Sequence, residues 1–333
     1  MTSLQWKLGV EIELLAPRGA SRRTLADALA AAHGGSARTF FHPQAEPSKV
    51  AGKPVFHNLT QGFEVLDAAG APVARLVDDV TLQDDLRRAA PPVPGWVRIV
   101  GDDERLLRLV ARYCDPDAPL DRLLDPVAAL FGVSPLRTAG GVRLGDSTGA
   151  PIAIAAPLPG ERERPAELIT PPIERDHEAR LEALLSVARD LGFTAPAEGA
   201  VHLHFDGAAL CHAAAFARVV TALDAAREQL RAEFCTNPRC RRLGPWSPEL
   251  LACVASPDFL SADWDQARAL LAKAKLTKYN DFNLLNLVRG TPEKHTLEVR
   301  ILPVHLHAEP IVRAAQRIED ILRAALQSGP LPR

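Results

Sequence analysis

The chain has few aromatic residues, few cysteines and no pair of closely spaced cysteine motifs. Only 5% of its 333 residues are aromatic, so its core must consist mainly of Leu, Val and Ala. The five cysteines are widely spread, and Cys235 and Cys240 form a C-x4-C pair without a second pair, which is a poor zinc signature. We therefore expect free, buried thiols in a reducing cytoplasm.

Segments that would direct the chain to a membrane are also lacking. No apolar run approaches the length of a membrane span, and the N-terminal sequence MTSLQWKLGVEIE has no apolar core of a signal peptide. We therefore expect a cytoplasmic protein without a membrane partner. The net charge of −2 predicts no broad basic face, which disfavours general nucleic-acid binding.

The common nucleotide-binding and hydrolase motifs are absent as well. The sequence contains no G-x-x-x-x-G-K-[ST], no G-x-G-x-x-G after a strand, and no G-x-S-x-G elbow. If ATP binds, it is therefore not held by a P-loop or a Rossmann turn. A length of 333 residues with 47% hydrophobic content allows a substantial core. We expect a single catalytic domain over 1–333 with a helical insert at about 95–135.

Hydrophobic spacing and turn residues predict an α+β fold with antiparallel strands on one side and helices on the other face. Strands are predicted at 6–15, 39–41, 53–57, 62–66, 73–77, about 200–205 and up to Pro303. Helices are predicted from the N-cap Ser21 to His33 and at 103–113, 120–131, 174–191, 208–233, 247–253, 262–276 and 309–327.

Three segments place two ionisable residues one apart between apolar residues: 10–14 (VEIEL), 201–205 (VHLHF) and 297–301 (LEVRI). Positions i and i+2 of a strand point the same way, so each segment presents its ionisable pair on one face. Such alternation is typical of any half-solvated antiparallel strand. The restriction to carboxylate, imidazole and guanidinium groups favours a functional patch. Its members are Glu11, Glu13, His202, His204, Glu298 and Arg300.

Neighbouring carboxylates repel, so at least one pKa must rise unless a cation lies between them. A hard divalent ion resolves this conflict: Mg²⁺ is usual beside phosphate, and Mn²⁺ also tolerates an imidazole such as His202. Arg300 could neutralise the cluster or bind a phosphoryl oxygen. The alternative is that Glu298 and Arg300 form only a salt bridge beside the sheet.

Three further segments carry weaker signals. Glu167 precedes the Pro171–Pro172 turn, where a lone glutamate usually lies on the surface. The polar segment 278–286 is either a turn or a place from which Lys278 or Asn283 points into the site. A second H-x-H, His305 and His307, directly follows Pro303, which favours a loop and leaves a metal role open.

Five motifs that carry a family resemblance follow one another along nearly the whole chain. They are G-V-E-I-E at 9–13, E-L-I-T-P-P-I at 167–173, V-H-L-H-F-D at 201–206, K-Y-N-D-F-N at 278–283 and T-L-E-V-R-I-L-P at 296–303. In this order they resemble the amidoligase family, which contains carboxylate–amine ligases related to glutamine synthetase and glutamate–cysteine ligase. The turn at 78–81 (DDVT) is similar to an acidic turn of this family. Gly199 lies further from His202 than the family's glycine does, and region 36–165 is less typical.

The resemblance implies a curved antiparallel sheet in a glutamine-synthetase-like catalytic fold, with helices on its outer face. It also implies that ATP phosphorylates a carboxylate and that an amine attacks the acyl phosphate. By this analogy one metal is held by Glu11, His202 and Glu298, and another by Glu13 and Glu167. His204 and Arg300 would contact phosphate, and Lys278 and Asn283 would contact phosphate or substrate.

Three functions remain open from the sequence. The first is an ATP- and Mg²⁺- or Mn²⁺-dependent ligase that joins a small-molecule or peptide carboxylate to an amine. The second is a zinc hydrolase that uses the H-x-H and the glutamates, and the third is a binding protein that has lost the chemistry. The resemblance allows a homo-oligomer without requiring one.

Overall fold

The computed structural model describes residues 4–47, 55–101, 103–240, 242–274, 276–290 and 294–327. The chain forms two compact units. The first unit consists of Met1–Glu13, Thr170–Arg189 and Ala197–Arg333, and the second of Leu14–Ile169 and Asp190–Pro196. Both units combine helices with antiparallel strands, which confirms the predicted α+β class. The prediction of one catalytic domain over 1–333 stays a prediction.

The strands are β1 (Leu8–Leu15), β2 (Ser36–Pro47), β3 (Val55–Leu66), β4 (Pro72–Val77), β5 (Val97–Gly101), β6 (Leu136–Thr138), β7 (Gly141–Gly145), β8 (Pro151–Pro157), β9 (Pro165–Ile169), β10 (Ala200–Asp206), β11 (Phe282–Asn283) and β12 (Thr296–Pro303). The helices are α1 (Arg22–Ala32), α2 (Glu104–Tyr113), α3 (Asp125–Phe131), α4 (His177–Asp190), α5 (Ala213–Glu233), α6 (Pro248–Ala255), α7 (Pro257–Ser261), α8 (Trp264–Lys273), α9 (Leu285–Arg289) and α10 (Ala308–Gln327).

The sheet of the first unit has the strand order β11-β12-β10-β1, and its strands pair antiparallel. One face carries apolar side chains that are almost fully buried, among them Leu8, Val10, Leu203, Val299 and Ile301. Because side chains alternate along a strand, the residues between them lie on the opposite face. The ionisable pairs of the three segments are therefore brought to one side of this sheet.

A β-bulge interrupts the pairing of β10 with β12 at the level of His202. Val201 pairs with Leu302 and Leu203 pairs with Val299, so His202 lies opposite two residues of β12, Arg300 and Ile301. On its other edge β12 pairs with β11, and there the backbone N–H of Arg300 donates to the carbonyl of Asp281, over 2.9 Å. Bulges often redirect a side chain, yet Arg300 stays on the face of Glu298, with which it forms an ion pair.

The second unit has the strand order β9-β4-β3-β5-β8-β7-β6. In addition, β2 pairs with β3 along the edge of β3 that is not paired with β4 and β5. Helix α1 packs on β2, β3 and β4. It begins at the predicted N-cap Ser21, whose side chain accepts from the N–H of Thr24, and Gly34 follows its end with φ +63°. Arg22, fully buried in its first turn, donates to the carbonyls of Gln61 and Arg162.

Helices α2 and α3 fall within the segment predicted as a helical insert. Leu107 and Val110 of α2 and Val127 of α3 are part of one apolar core that includes Ile99 of β5 and Ala155 of β8. The predicted 120–131 helix is shorter in the structure, because residues 120–124 form turns before α3 begins.

Other boundaries differ from the sequence predictions for local reasons. The predicted 208–233 helix begins only at Ala213, because residues 208–210 form a 3-10 turn in which Asp206 Oδ1 accepts from the N–H of Ala208. The predicted 262–276 helix starts after Asp263, which caps α8. The strands predicted at 53–57 and 62–66 join into β3. Residues 53, 54 and 275 lie outside the described residues.

The cysteines are free, as predicted, but their burial was predicted wrongly. Cys114 is buried, whereas Cys235 is exposed, because it follows the end of α5 in a turn with φ +53°. The pKa of Cys114 is raised, since burial disfavours the thiolate.

Glu161 is a buried carboxylate that receives several donors within the second unit. Its Oε1 accepts from Arg87 Nε over 2.7 Å, and its Oε2 accepts from Arg164 Nη1 over 2.9 Å and from the backbone N–H of Arg87 over 3.1 Å. Burial alone would raise its pKa, but the donors of Arg87 and Arg164 outweigh burial and hold the pKa of Glu161 at about 2.

We expect Glu161→Gln to lower stability at neutral pH and to flatten its dependence on acid. The pKa of this carboxyl is about 2 in the folded chain and 4.5 in the unfolded chain. Its ionised form therefore stabilises the fold fully above pH 4.5, and this stabilisation is lost as the pH falls toward about 2. Urea unfolding at a series of pH values measures this loss, with the exposed Glu104→Gln as the matched control. Parallel pH profiles of wild type and Glu161→Gln would contradict the prediction.

Candidate functional site

The structure brings six of the predicted side chains together on one face of the first unit's sheet. In the strand registers Glu11 lies opposite His202, and His204 lies opposite Glu298. The glutamates and histidines of this carboxylate cluster are buried and Arg300 is half-buried. The cluster consists of Glu11, Glu13, His202, His204, Glu298 and Arg300. Buried ionisable groups in such numbers are typical of functional sites.

His202 lies between three carboxylates. Its Nδ1 is 3.2 Å from Glu11 Oε2 and 3.6 Å from Glu298 Oε1, and its Nε2 is 3.7 Å from Glu13 Oε1. The other oxygen of Glu13 accepts from the backbone N–H of Ala200 over 2.8 Å. Both ring nitrogens therefore lie within 4 Å of carboxylate oxygens, so a metal ion held by these carboxylates would lie beside the imidazole.

His204 completes a group that could hold a metal ion. Its Nε2 is 3.2 Å from Glu11 Oε1, without the alignment of a hydrogen bond, and its Nδ1 is 3.1 Å from Thr296 Oγ1. Glu11, His204 and Glu298 each offer a ligand atom, and these atoms lie within 4.8 Å of one another. The sequence assigned His202 to this metal and His204 to phosphate. The geometry brings both imidazoles to Glu11, and their separate roles stay predictions.

Cationic and amide donors surround the two central carboxylates. Glu298 Oε1 accepts from Arg300 Nη1, and Glu298 Oε2 accepts from Asn283 Nδ2 over 2.6 Å. Lys294 Nζ donates to Glu11 Oε1 over 2.8 Å. The salt bridge that the sequence left as an alternative for Glu298 and Arg300 is thus present within the cluster. Arg300 Nε is buried and has no hydrogen-bond partner among the described residues.

These neighbours lower the pKa of the buried carboxyls. Burial alone would raise the pKa of Glu11, but His204, His202 and Lys294 hold it well below its usual range. Burial is likewise outweighed at Glu298, where the charges of Arg300, His204 and His202 bring the pKa to about 2. The pKa of neither carboxyl rises, because cationic side chains lie between the carboxylates, where a cation was predicted. Both carboxylates are ionised at neutral pH, as metal ligands must be.

The remaining residues singled out from the sequence stand on other elements of the fold. Glu167 is half-buried on β9 of the second unit, where it pairs in register with Val77, and its metal role stays a prediction. Lys278 is exposed, with its ammonium 5.6 Å from the ring of Tyr279. His305 and His307 lie in a loop after β12, as predicted, and neither belongs to a metal-capable group in the part of the chain that the structure describes.

Sequence reasoning missed two contacting residues. Thr296 stands two positions before Glu298 on β12, so alternation could have placed it on the same face. Lys294 precedes the strand, where no periodic pattern indicates its direction.

One comparison decides the family. A family model described as "Putative amidoligase enzyme" matches residues 4–322. The chain belongs to the amidoligase family. This confirms the resemblance seen in the five motifs and identifies an enzyme of the amide-bond-forming ligase kind. Neither a curated protein nor a solved structure matches the sequence. None of the described helices is both long enough and apolar enough to cross a membrane.

Proposed function

We propose that the protein is an ATP- and Mg²⁺-dependent carboxylate–amine ligase that forms an amide or peptide bond through an acyl-phosphate intermediate. The observation that carries the proposal is the buried group Glu11, His204 and Glu298, which lies beside the guanidinium of Arg300. Family membership supports the ligase class. A cytoplasmic location and a glutamine-synthetase-like form of the fold belong to the same proposal.

The donor set fits a hard divalent cation. Glu11 and Glu298 supply ionised carboxylate oxygens, and an imidazole nitrogen of His204 or His202 completes the group. Zinc in proteins favours nitrogen and sulfur ligands, and the described metal-capable groups contain no cysteine. A bound Mg²⁺ or Mn²⁺ would neutralise phosphate charge and help to align the reacting groups.

The surrounding side chains would orient these ligands and bind the nucleotide phosphates. Asn283 donates to one oxygen of Glu298 and Arg300 to the other, which fixes the plane of that carboxylate. Arg300 Nε has no hydrogen-bond partner among the described residues, so it could donate to a phosphoryl oxygen without breaking a contact seen here. Lys294, bound to Glu11, would place a second positive charge beside the phosphates.

The charge balance of the site agrees with this use. Three carboxylates, Glu11, Glu13 and Glu298, lie in the site, and Arg300 and Lys294 are ion-paired with two of them. A bound divalent cation adds two positive charges to this site, so the anionic phosphates of a nucleotide are attracted more strongly once the metal has bound. We therefore expect nucleotide binding to depend on the metal.

Calorimetric titration of a non-hydrolysable ATP analogue, with and without Mg²⁺, tests the proposal. The wild type should bind the analogue with Mg²⁺, and Glu298→Gln should bind it at least ~10-fold more weakly, a change of about 1.4 kcal/mol. Glu178→Gln on the exposed side of α4 is the matched control and should bind as the wild type does.

The alternatives give different results in this titration, in a metal analysis of the same sample and in a phosphate-release assay with ATP. Absence of nucleotide binding with either Mg²⁺ or Mn²⁺ would contradict the ligase, and tightly bound zinc in the same sample would favour the hydrolase. Metal-dependent binding without phosphate release from ATP, over a broad set of acids and amines, would favour a binding protein. Binding that weakens equally in Glu298→Gln and Glu178→Gln would show that the carboxylate cluster is not part of the nucleotide site.

A further inference from the structure

A polar cavity of about 240 Å³ is lined only by residues of the second unit and shares none of them with the carboxylate cluster. It is lined by side chains of β2, β3 and β5 and by the segments that follow β4 and β8. Its charged and hydrogen-bonding residues include Gln44, Thr60, Asp78, Arg88, Arg98 and Arg162. Small-molecule sites of drug-sized ligands span roughly 300–1,000 Å³, so this cavity suits a smaller molecule.

The charges of the lining favour an anion. Its lining contains three arginines and one aspartate. Arg162 donates to Asp78 Oδ1 and to the carbonyls of Asp79 and Leu82, and these bonds hold the segment after β4 in place. Arg88 and Arg98 belong to the same lining, and the fork of a guanidinium matches the two oxygens of a carboxylate.

At least two polar atoms of the lining are buried without a hydrogen-bond partner among the described residues. One is Oγ1 of Thr60, a residue that is 1% exposed. The other is Oε1 of Gln44, whose Nε2 donates to the carbonyl of Asp78 and thereby fixes which end of the amide is the oxygen. Buried polar groups in folded proteins are nearly always paired. These two atoms therefore indicate partners supplied by a ligand.

The two atoms need different hydrogen-bond partners. The Thr60 hydroxyl can donate to an oxygen, as the arginines do, whereas Gln44 Oε1 can only accept from a donor. A ligand that satisfies both carries a carboxylate and, a short distance away, an N–H group. A simple dicarboxylate would accept hydrogen bonds from the arginines but would offer no donor to Gln44 Oε1.

We propose that this cavity binds a free α-amino acid. Its carboxylate would lie against Thr60 and Arg98, and its ammonium group would donate to Gln44 Oε1 near the negative charge of Asp78. The binding site itself is independent of the metal cluster. That the amino acid is the acid or the amine of a ligation rests on the proposed function.

Binding is measured on the full chain without nucleotide or metal. A thermal-shift screen of the standard L-amino acids selects the probe, and calorimetric titration of that amino acid gives Kd, with succinate and inorganic phosphate titrated in parallel. We expect at least one amino acid to bind with a Kd below about 1 mM and succinate to bind at least ~10-fold more weakly.

Two variants test the assigned contacts. Thr60→Val is nearly isosteric and removes a hydroxyl that has no partner among the described residues, so the fold should persist while the Kd rises at least ~10-fold. Arg98→Gln should weaken binding similarly. Arg143→Gln, an exposed arginine on β7, is the matched control and should leave the Kd unchanged.

Several outcomes would overturn the inference. They are absence of binding by every amino acid, equal binding of succinate, binding of phosphate alone, or full affinity in both Thr60→Val and Arg98→Gln. Because this titration contains no nucleotide, its failure is separate from a failure of Mg²⁺-dependent ATP binding. The two proposals can therefore be rejected independently.

Discussion

Replacing Glu11 by Gln is expected to weaken Mn²⁺ binding at least ~100-fold, which corresponds to about 2.7 kcal/mol. Glu11 is the central residue of the cluster: its oxygens lie 3.2 Å from both His202 and His204 and 2.8 Å from Lys294. Gln keeps the shape of the side chain but removes the negative charge and replaces one acceptor oxygen by an amide donor. A hard divalent ion therefore loses a charged ligand.

Calorimetric titration of Mn²⁺ into the full chain measures this effect directly and does not require a known substrate. Glu178→Gln makes the same chemical change on an exposed helix position and should leave the Mn²⁺ affinity unchanged. Circular dichroism and urea unfolding of each variant report whether the fold is intact. Equal Mn²⁺ affinity in a folded Glu11→Gln variant would show that the carboxylate cluster is held together only by its own ion pairs.

Much of this site could be predicted because strands have a period of two. Once 10–14, 201–205 and 297–301 are recognised as strands, alternation places each ionisable pair on one face, as the structure has them. The pairing of these strands is not a local property, since β1 and β10 bring together residues up to 197 positions apart and β10 and β12 bring together residues at least 90 positions apart. The order of family motifs, rather than periodicity, supported the expectation that they are neighbours.

Features that depend on irregular backbone were not predictable from the pattern. A bulge interrupts the register of β10 with β12 opposite His202, and a period of two does not indicate where such a bulge falls. Lys294 reaches Glu11 from a position before β12 begins. Lys278 belongs to the same polar segment as Asn283, yet it is exposed while Asn283 contacts Glu298. In such a segment each residue's direction is set by tertiary contacts.

The electrostatic expectation was conditional on a cation between the carboxylates, and side chains meet that condition in the structure. Sequence patterning identifies groups of carboxylates but not the cations that will lie among them. Burial alone would raise the pKa of Glu298, but Arg300, His204 and His202 bring it to about 2. Lys294 helps to lower the pKa of Glu11 in the same way. A cluster of acids in a sequence therefore predicts a need for positive charge, and the structure decides whether side chains supply part of it.

A large loss of stability is expected on replacement of Asp281, a buried aspartate that connects the polar segment 278–286 to the rest of the first unit. Its Oδ1 accepts from Arg231 Nη1 over 2.8 Å and from the N–H of Gly244 over 2.9 Å, and its Oδ2 accepts from Arg227 Nη1 over 3.0 Å. Its carbonyl accepts from the N–H of Arg300. The aspartate is 1% exposed, so its charge is stabilised by these donors rather than by water.

Asp281→Asn should lower the free energy of unfolding by about 3 kcal/mol, at the lower end of the roughly 3–5 kcal/mol seen when one partner of a buried ion pair is removed. The lower end applies because the side chains of Arg227 and Arg231 keep exposures of 18% and 29% and can regain some water. Asparagine would also direct an amide N–H at a guanidinium or at the N–H of Gly244.

Urea unfolding measures this change, with Asp265→Asn as the matched control. Asp265 is 91% exposed and pairs with Arg268 at 3.6 Å, so its replacement should cost less than about 1 kcal/mol. Asp281→Asn should also weaken Mn²⁺ binding, though less than Glu11→Gln, because Asn283 two residues on orients Glu298. A large loss of stability with unchanged Mn²⁺ affinity would mean that the Asp281 network supports the fold but does not position the candidate metal ligands.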